Sequence, residues 1–119
     1  MTLGFAILGA GRIGQVHARA IASNRQARLV AVADAFEQAA NNLIANHGGE
    51  LRTIDDIAAA DDIDAVLICT PTNTHADLIE KFSAAGKGIF CEKPIDLSIA
   101  RVNSCLQVVN ETSATLMVG

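Results

Sequence analysis

The sequence predicts an α/β fold, in which a doubly wound parallel sheet lies between two layers of helices. Short apolar runs alternate along the chain with longer segments whose apolar residues recur at helical spacing. The apolar runs are continuous, which is typical of parallel strands that are covered on both faces. Because strand–helix–strand units cross over with a right hand, we expect a single three-layer α/β/α domain over 1–119 with strand order 3-2-1-4-5-6.

The predicted strands are the runs richest in aliphatic residues. In chain order they are Leu3–Leu8, Leu29–Ala33, a brief strand at Leu51–Thr53, Ala65–Cys69, Gly88–Cys91 and Thr115–Val118. Helical segments lie between them. Three of the predicted helices have apolar faces, which run from Ile13 to Ile21, from His75 to Phe82 and from Ile99 to Val109. A weaker helix is predicted over Glu37–Asn46 and ends before Gly48. A short helix is predicted to begin after Thr53, which forms a small capping box with Asp56.

The composition limits the functions that the chain can carry. With 119 residues, of which 50% are hydrophobic and 18% charged, the chain suits one domain with its own core. The net charge is −4 and the basic residues are scattered, so we expect no binding of nucleic acid. No run approaches the ~20 apolar residues of a membrane span, so we expect no membrane segment.

The three cysteines, Cys69, Cys91 and Cys105, are an odd set without CxxC spacing and without a clustered histidine. That pattern suggests neither a disulfide framework nor a zinc site. We therefore expect a reduced, cytoplasmic protein with no metal site. We expect that neither His17 nor His47 has a partner that would argue for a ligand or a base.

A glycine motif follows the first predicted strand and opens the first predicted helix. Gly9, Gly11 and Gly14 have the GxGxxG spacing, which permits a tight turn, close approach of a pyrophosphate and close packing of helix on strand. The free N–H groups at the helix start then bind the negative charge. We expect Arg12 and Ile13 to belong to this loop, with Arg12 as a nearby cation. The alternative is that these glycines serve packing alone.

Asp34 follows the second predicted strand, 34 − 14 = 20 residues after the last glycine of the motif. An acid at that distance is expected to bond the ribose hydroxyls of the adenosine half of a dinucleotide. Its carboxylate would repel a 2′-phosphate, which favours NAD over NADP. The alternative is that Asp34 caps the next helix, since aspartate is common at that position.

Several segments, taken in order, carry a family resemblance. "GAGRIG", "CTPTNTHADLI", "AGKGIFCEKP" and "LMVG" resemble the inositol dehydrogenase and glucose-fructose oxidoreductase family. The wording "FCEKPIDLS" is most similar to its inositol dehydrogenases. The resemblance extends over essentially all 119 residues and implies a Rossmann-type domain that holds NAD.

The resemblance also implies a role for the EKP motif, which here is Glu92, Lys93 and Pro94. In the family this lysine reaches both cofactor and substrate, so Lys93 is the expected catalytic residue, and Glu92 is expected near the cofactor. Lys93 follows a strand and so projects at the same sheet edge as the glycine loop, where a lysine can take part in proton transfer. The proline after Lys93 also allows a cis peptide bond, which would fix the direction of the lysine side chain. The alternative is a solvated lysine beside a proline that turns the chain.

The same resemblance implies that one loop lines the nicotinamide side of the cofactor cleft. Its residues are Thr70, Pro71, Thr72, Asn73 and His75. The alternative is that Thr72 and Asn73 are helix caps and that His75, in the first turn of its helix, packs or caps.

In the family this domain is normally followed by a second α+β domain that carries the substrate pocket, and we expect residues 1–119 not to include that domain. The resemblance therefore implies one part of an NAD-dependent polyol dehydrogenase, which oxidises a ring secondary alcohol to a ketone by hydride transfer. We expect the chain alone to bind NAD(H) without turnover, and to form a homodimer through exposed apolar surface. A polyol or sugar would bind only with the further domain. The alternatives are a stand-alone dinucleotide-binding regulatory module and a scaffold without catalytic role.

Overall fold

The computed structural model describes residues 2–119, in which strands and helices alternate along the chain. The strands are β1 Leu3–Leu8, β2 Ala27–Ala33, β3 Glu50–Leu51, β4 Ala65–Ile68, β5 Gly88–Cys91 and β6 Leu116–Val118. The helices are α1 Arg12–Ala22, α2 Glu37–His47, α3 Ile54–Ala59, α4 His75–Ala84 and α5 Ile99–Thr112. A single 3-10 turn, Thr72–Thr74, precedes α4.

The six strands form one sheet in the order β3-β2-β1-β4-β5-β6, and every pairing is parallel. This order confirms the predicted doubly wound sheet. The order reverses between β1 and β4, and in such sheets the crevice beyond the carboxyl ends of those two strands is the usual ligand site.

Two apolar clusters cover the two faces of the sheet. Ile7 of β1 packs in one cluster with Val32 and Leu43. Its chain neighbour Leu8 points to the other face and packs in the second cluster, which contains Phe82. Because successive side chains of a strand point to opposite faces, burial on both faces requires the continuous apolar runs seen in the sequence.

The observed strand ends differ slightly from the predicted ones. β2 begins at Ala27, two residues before the prediction, because Gly4 of β1 still pairs with Arg28. The third strand is Glu50–Leu51 instead of Leu51–Thr53, because Thr53 is already the N-cap of α3 and its side chain accepts a hydrogen bond from the Asp56 backbone. β4 ends at Ile68 and β6 begins at Leu116, each one residue inside its predicted range.

Some large apolar side chains lie on the surface, among them Leu97, Ile99 and Met117, which are 88%, 75% and 66% exposed. They cluster in sequence around α5 and β6. The predicted homodimer stays a prediction. Within residues 2–119, no helix has the length and apolar character that crossing a bilayer requires.

Candidate functional site

The three motif glycines occupy three different environments. Gly9 has φ +96°, a backbone conformation that side chains rarely allow. A Cβ on Gly14 would overlap the carbonyl oxygen of Gly9, so the helix can sit this close to the turn only without a side chain there. A Cβ on Gly11 would meet nothing within 4 Å. Gly9 and Gly14 are thus required by the fold itself, whereas Gly11 faces open space.

The start of α1 presents unbonded backbone N–H groups. Its N-cap is Gly11, which has no side chain to cap the helix, and the first turn contains no acidic residue. The first N–H bonded across the turn is that of Gln15, which donates to the Gly11 carbonyl at 3.0 Å. The N–H groups before that of Gln15 have no acceptor within the helix, so they can donate to an anion. The helix dipole adds to their attraction for negative charge. These residues fit a diphosphate.

Asp34 lies directly after β2 and is bound to the glycine loop. Its Oδ2 accepts a hydrogen bond from the Ala10 N–H at 2.7 Å, and its Oδ1 accepts one from the Phe36 N–H at 2.8 Å. The N-cap of α2 is Phe36, not Asp34. The helix-cap alternative for Asp34 is therefore not what the structure shows, and the carboxylate stands at the sheet edge beside the glycines.

A cleft of 1230 Å³ opens at this edge, between the segments that follow β1, β2, β3 and β4. Six of the predicted site residues line it: Gly9, Gly11, Asp34, Thr70, Pro71 and Asn73. Seven do not: Arg12, Ile13, Gly14, Thr72, His75, Glu92 and Lys93. The structure thus brings the glycine loop, the acid and most of the threonine-rich loop together around one cavity.

Phe36 and Arg52 are among the cleft residues that the sequence did not predict. Phe36 is 78% exposed at the edge of the cleft, and its position two residues after Asp34 is the signal that could have found it. Arg52 also lines the cleft, but its guanidinium is bound to Asp62 at 2.8 and 2.9 Å and to Glu50 at 2.7 Å. Hydrogen bonds to Asp62 and Glu50 raise the pKa of Arg52 above its ordinary value.

Lys93 lies two residues beyond β5, at the same carboxyl edge of the sheet as the cleft. Its side chain is exposed, and the peptide bond between Lys93 and Pro94 is cis. The preceding residue continues the sheet pairing, because the Glu92 N–H donates to the Ile68 carbonyl at 3.0 Å. The catalytic role of Lys93 stays a prediction.

Two histidines contact the EKP segment. Nε2 of His17 lies 2.8 Å from Oε1 of Glu92, and the His17 ring meets the Phe90 ring edge-on at 5.0 Å. The expectation that His17 has no partner is therefore wrong, because the fold brings α1 against the end of β5. His75 is 2% exposed, with Nδ1 2.7 Å from the Pro94 carbonyl and Nε2 2.8 Å from the Thr70 carbonyl. Its contact with a cofactor stays a prediction, and its burial favours the packing alternative.

The three cysteines are free thiols, of which Cys91 and Cys105 are buried and Cys69 is half-buried in the lining of the cleft. Burial is the first cause that raises the pKa of Cys69 and of Cys91 to about 12, and it also raises the pKa of Cys105. Such thiols are poor nucleophiles and poor metal ligands at neutral pH. Within the described part of the chain, no group of three His, Cys, Asp or Glu residues is arranged to hold a metal ion.

The chain is similar in sequence and in structure to known dehydrogenases. Residues 3–119 match the model of the "Oxidoreductase family, NAD-binding Rossmann fold". Inositol 2-dehydrogenase of Rhizobium meliloti (strain 1021) is 66% identical over 119 residues, which are 100% of this chain and 36% of that protein. The protein in a crystal structure from Sinorhizobium meliloti 1021 is 65% identical in sequence to this chain. The two structures match with a TM-score of 0.98 over 99% of this chain and 36% of the other chain.

A more distant solved structure carries ligands. It is scyllo-inositol dehydrogenase from Lactobacillus casei with bound cofactor NAD(H) and scyllo-inositol. It is 32% identical to this chain, with a TM-score of 0.91 over 100% of this chain and 36% of its own. The chain described above therefore spans 36% of the length of each of these three proteins.

Proposed function

The chain belongs to the oxidoreductase family with an NAD-binding Rossmann fold, and from this premise we propose that it is the cofactor-binding part of an NAD-dependent inositol dehydrogenase. An enzyme of this kind oxidises a ring secondary alcohol to a ketone. The observation that carries the proposal is the open glycine turn with Asp34 bonded beside it, at the edge of the cleft. The inositol dehydrogenases among the relatives support the substrate class.

The charges of the cleft support NAD over its phosphorylated form. Asp34, Glu37 and Asp56 line it and would repel a 2′-phosphate, whereas Asp55 also lines it but is paired with Lys81. The basic residue among the lining residues of the described chain is Arg52, whose guanidinium already bonds two carboxylates. A 2′-phosphate would have to break those bonds to gain a partner.

The position of the EKP segment, Glu92 to Pro94, supports a proposal for where the reaction takes place. Bound NAD supplies a hydride acceptor. Lys93, exposed at the carboxyl edge of the sheet, would bond the oxygen of the substrate hydroxyl and take part in moving its proton. Because the relatives are much longer than this chain, we propose that substrate binding and turnover also use residues of the longer enzyme, and that residues 1–119 alone bind NAD(H).

Titration with NADH, followed by nicotinamide fluorescence, tests this proposal. We expect NADH to bind more tightly than NADPH. Asp34→Ala removes an ionised hydrogen-bond partner worth ~1.5–3 kcal/mol, so NADH should bind about 10- to 100-fold more weakly and the preference for NADH over NADPH should shrink.

Asp61→Ala is the matched control, because Asp61 is an exposed acid that does not line the cleft. It should bind NADH like the unchanged chain. Equal binding of NADPH and NADH by the unchanged chain, or full NADH affinity in a folded Asp34→Ala variant, would overturn the proposal.

A further inference from the structure

Two threonine hydroxyls meet in the loop that follows β4, and both threonines line the cleft. Oγ1 of Thr74 lies 2.7 Å from Oγ1 of Thr70 and 2.6 Å from the carbonyl oxygen of Pro71. Thr74 is the last residue of the 3-10 turn, and its backbone N–H donates to the same carbonyl at 3.0 Å. The side chain of Thr74 is therefore held at two points, by the backbone of the loop and by Thr70.

The number of available protons decides which hydroxyl donates to which. A hydroxyl carries one proton and two lone pairs, whereas a carbonyl oxygen only accepts. The Thr74 hydroxyl therefore donates its proton to Pro71, and in the contact between the two threonines the proton comes from Thr70. Both bonds join neutral groups, so the arrangement requires no change of charge. Because the Thr70 proton is used inside the loop, its oxygen offers a ligand only lone pairs.

Thr70 lies directly against the glycine turn. A Cβ placed on Gly9 would come within 2.9 Å of the Thr70 backbone nitrogen. Asp34 lies on the other side of this turn, because it follows β2 whereas Thr70 follows β4, and β1 runs between those two strands. A dinucleotide bound at the switch point spans both halves of such a sheet. With the adenosine ribose at Asp34, the sugar beside Thr70 is the second ribose.

We infer that Thr70 accepts a hydrogen bond from a hydroxyl of the second ribose of NAD, and that Thr74 is the positioning residue that makes the Thr70 oxygen an acceptor. A ribose hydroxyl can donate such a bond, whereas an ionised phosphate oxygen only accepts. The pair therefore selects a neutral sugar hydroxyl next to the diphosphate. This inference rests on the proposed function and adds to it a contact with the half of the cofactor opposite Asp34.

Calorimetric titration with ADP and with ADP-ribose isolates the second ribose, because that sugar is what ADP lacks. The ratio Kd(ADP)/Kd(ADP-ribose) measures the contribution of the sugar, and the extra charge of ADP cancels when variants are compared. Thr70→Val keeps the shape of the side chain but removes the acceptor. We expect the ratio to fall about 2- to 10-fold, as for one hydrogen bond between uncharged groups, while ADP binds as before.

Thr74→Val tests the positioning role, because it removes the group that takes the Thr70 proton and leaves the Thr70 hydroxyl free to turn. The ratio should fall here too. Since Thr74 acts through Thr70, the double variant should lose no more than Thr70→Val alone, whereas independent losses would add. Thr74→Ser keeps a hydroxyl and should keep the ratio.

Thr112→Val is the matched control. The Thr112 hydroxyl also donates to backbone carbonyls, those of Val108 and Val109, but this residue does not line the cleft. Its ratio should equal that of the unchanged chain. A general effect of losing a threonine hydroxyl would appear in this variant as well.

The outcomes separate this inference from the proposed function. An unaltered ratio in a folded Thr70→Val variant overturns the inference, while NADH binding by the unchanged chain leaves the proposed function in place. Losses that add in the double variant overturn the role of Thr74. If Thr74→Val does not fold, three-bond NMR couplings of Thr70 in the ligand-free chain decide: one fixed χ1 rotamer supports the positioning role, and averaged rotamers overturn it. A chain that binds neither NADH nor ADP-ribose overturns the proposed function, and this inference with it.

Discussion

In the glycine loop, two glycines are required by the fold and the third leaves space for a ligand. Gly14 is needed because α1 begins against the carbonyl of Gly9, and Gly9 is needed because its own backbone has a positive φ. Gly11 meets neither condition, since its φ is −77° and the space around a Cβ there is open. Its lack of a side chain therefore matters to what approaches the loop from outside.

This difference predicts opposite outcomes for two alanine substitutions. Gly14→Ala should lower the free energy of unfolding by ~1–3 kcal/mol, because the new Cβ overlaps backbone that cannot move aside. Gly11→Ala should change stability by less than ~1 kcal/mol, yet weaken NADH binding because a methyl group now stands where the diphosphate approaches. Urea unfolding and NADH titration measure the two effects. A Gly11→Ala variant with unaltered NADH affinity would contradict the assignment of the open space to the cofactor.

Individual elements are held by local bonds as well as by the core. The shortest helix, α3, has six residues, and the Thr53 hydroxyl caps it by accepting from the Asp56 N–H at 3.1 Å. After its C-terminus, Lys87 donates to the carbonyls of Ala60 and Ile63. A helix this short has little stability of its own, so its end contacts count.

We predict that Thr53→Ala lowers the free energy of unfolding by ~0.5–2 kcal/mol, because it leaves an N–H of the first turn without its partner. Thr112→Ala is the comparison. That threonine bonds carbonyls of its own helix, α5, so its loss should stay within about 0.5 kcal/mol. Denaturant midpoints of the two variants measure the difference, and equal midpoints would show that the cap does not stabilise the chain.

The sequence predicted elements well where the signal was local. The continuous apolar runs located β1 and β5, and the capping box located the start of α3. β3 was displaced because its two exposed residues carry no apolar pattern. The contact between His17 and Glu92 joins residues 75 apart, and no local pattern reports which distant elements pack together. Phe36 was missed although Asp34, two residues earlier, had already marked the same loop.

At the scale of the whole molecule, two of the three thiols report on the integrity of the fold. Cys91 and Cys105 are fully buried, and they lie on a strand and a helix that pack in the same core cluster. A buried thiol is favoured in its neutral form, because ionisation would place a charge away from water. Reaction of these cysteines with a thiol reagent therefore requires opening of the domain.

The same burial predicts a loss of stability at high pH. The pKa of Cys91 rises from 9.0 to about 12 in the fold. Between those values the unfolded chain releases this proton while the folded chain keeps it, so stability should fall as the pH rises from about 9 towards 12. Urea midpoints across that window measure the effect. The slope should be shallower in Cys91→Ala, and identical slopes would show that the thiol does not contribute.

Asp34 already has its two oxygens engaged by the amides of Ala10 and Phe36 before any ligand arrives. Its rotamer is set when the domain folds. Ordering a side chain upon association commonly costs ~0.5–1.5 kcal/mol. Here the side chain of Asp34 is already ordered when the domain has folded, so binding does not carry that cost. If NAD binds as proposed, the preorganised carboxylate would meet the adenosine sugar as a rigid template, and less of the binding free energy would be lost to ordering this side chain.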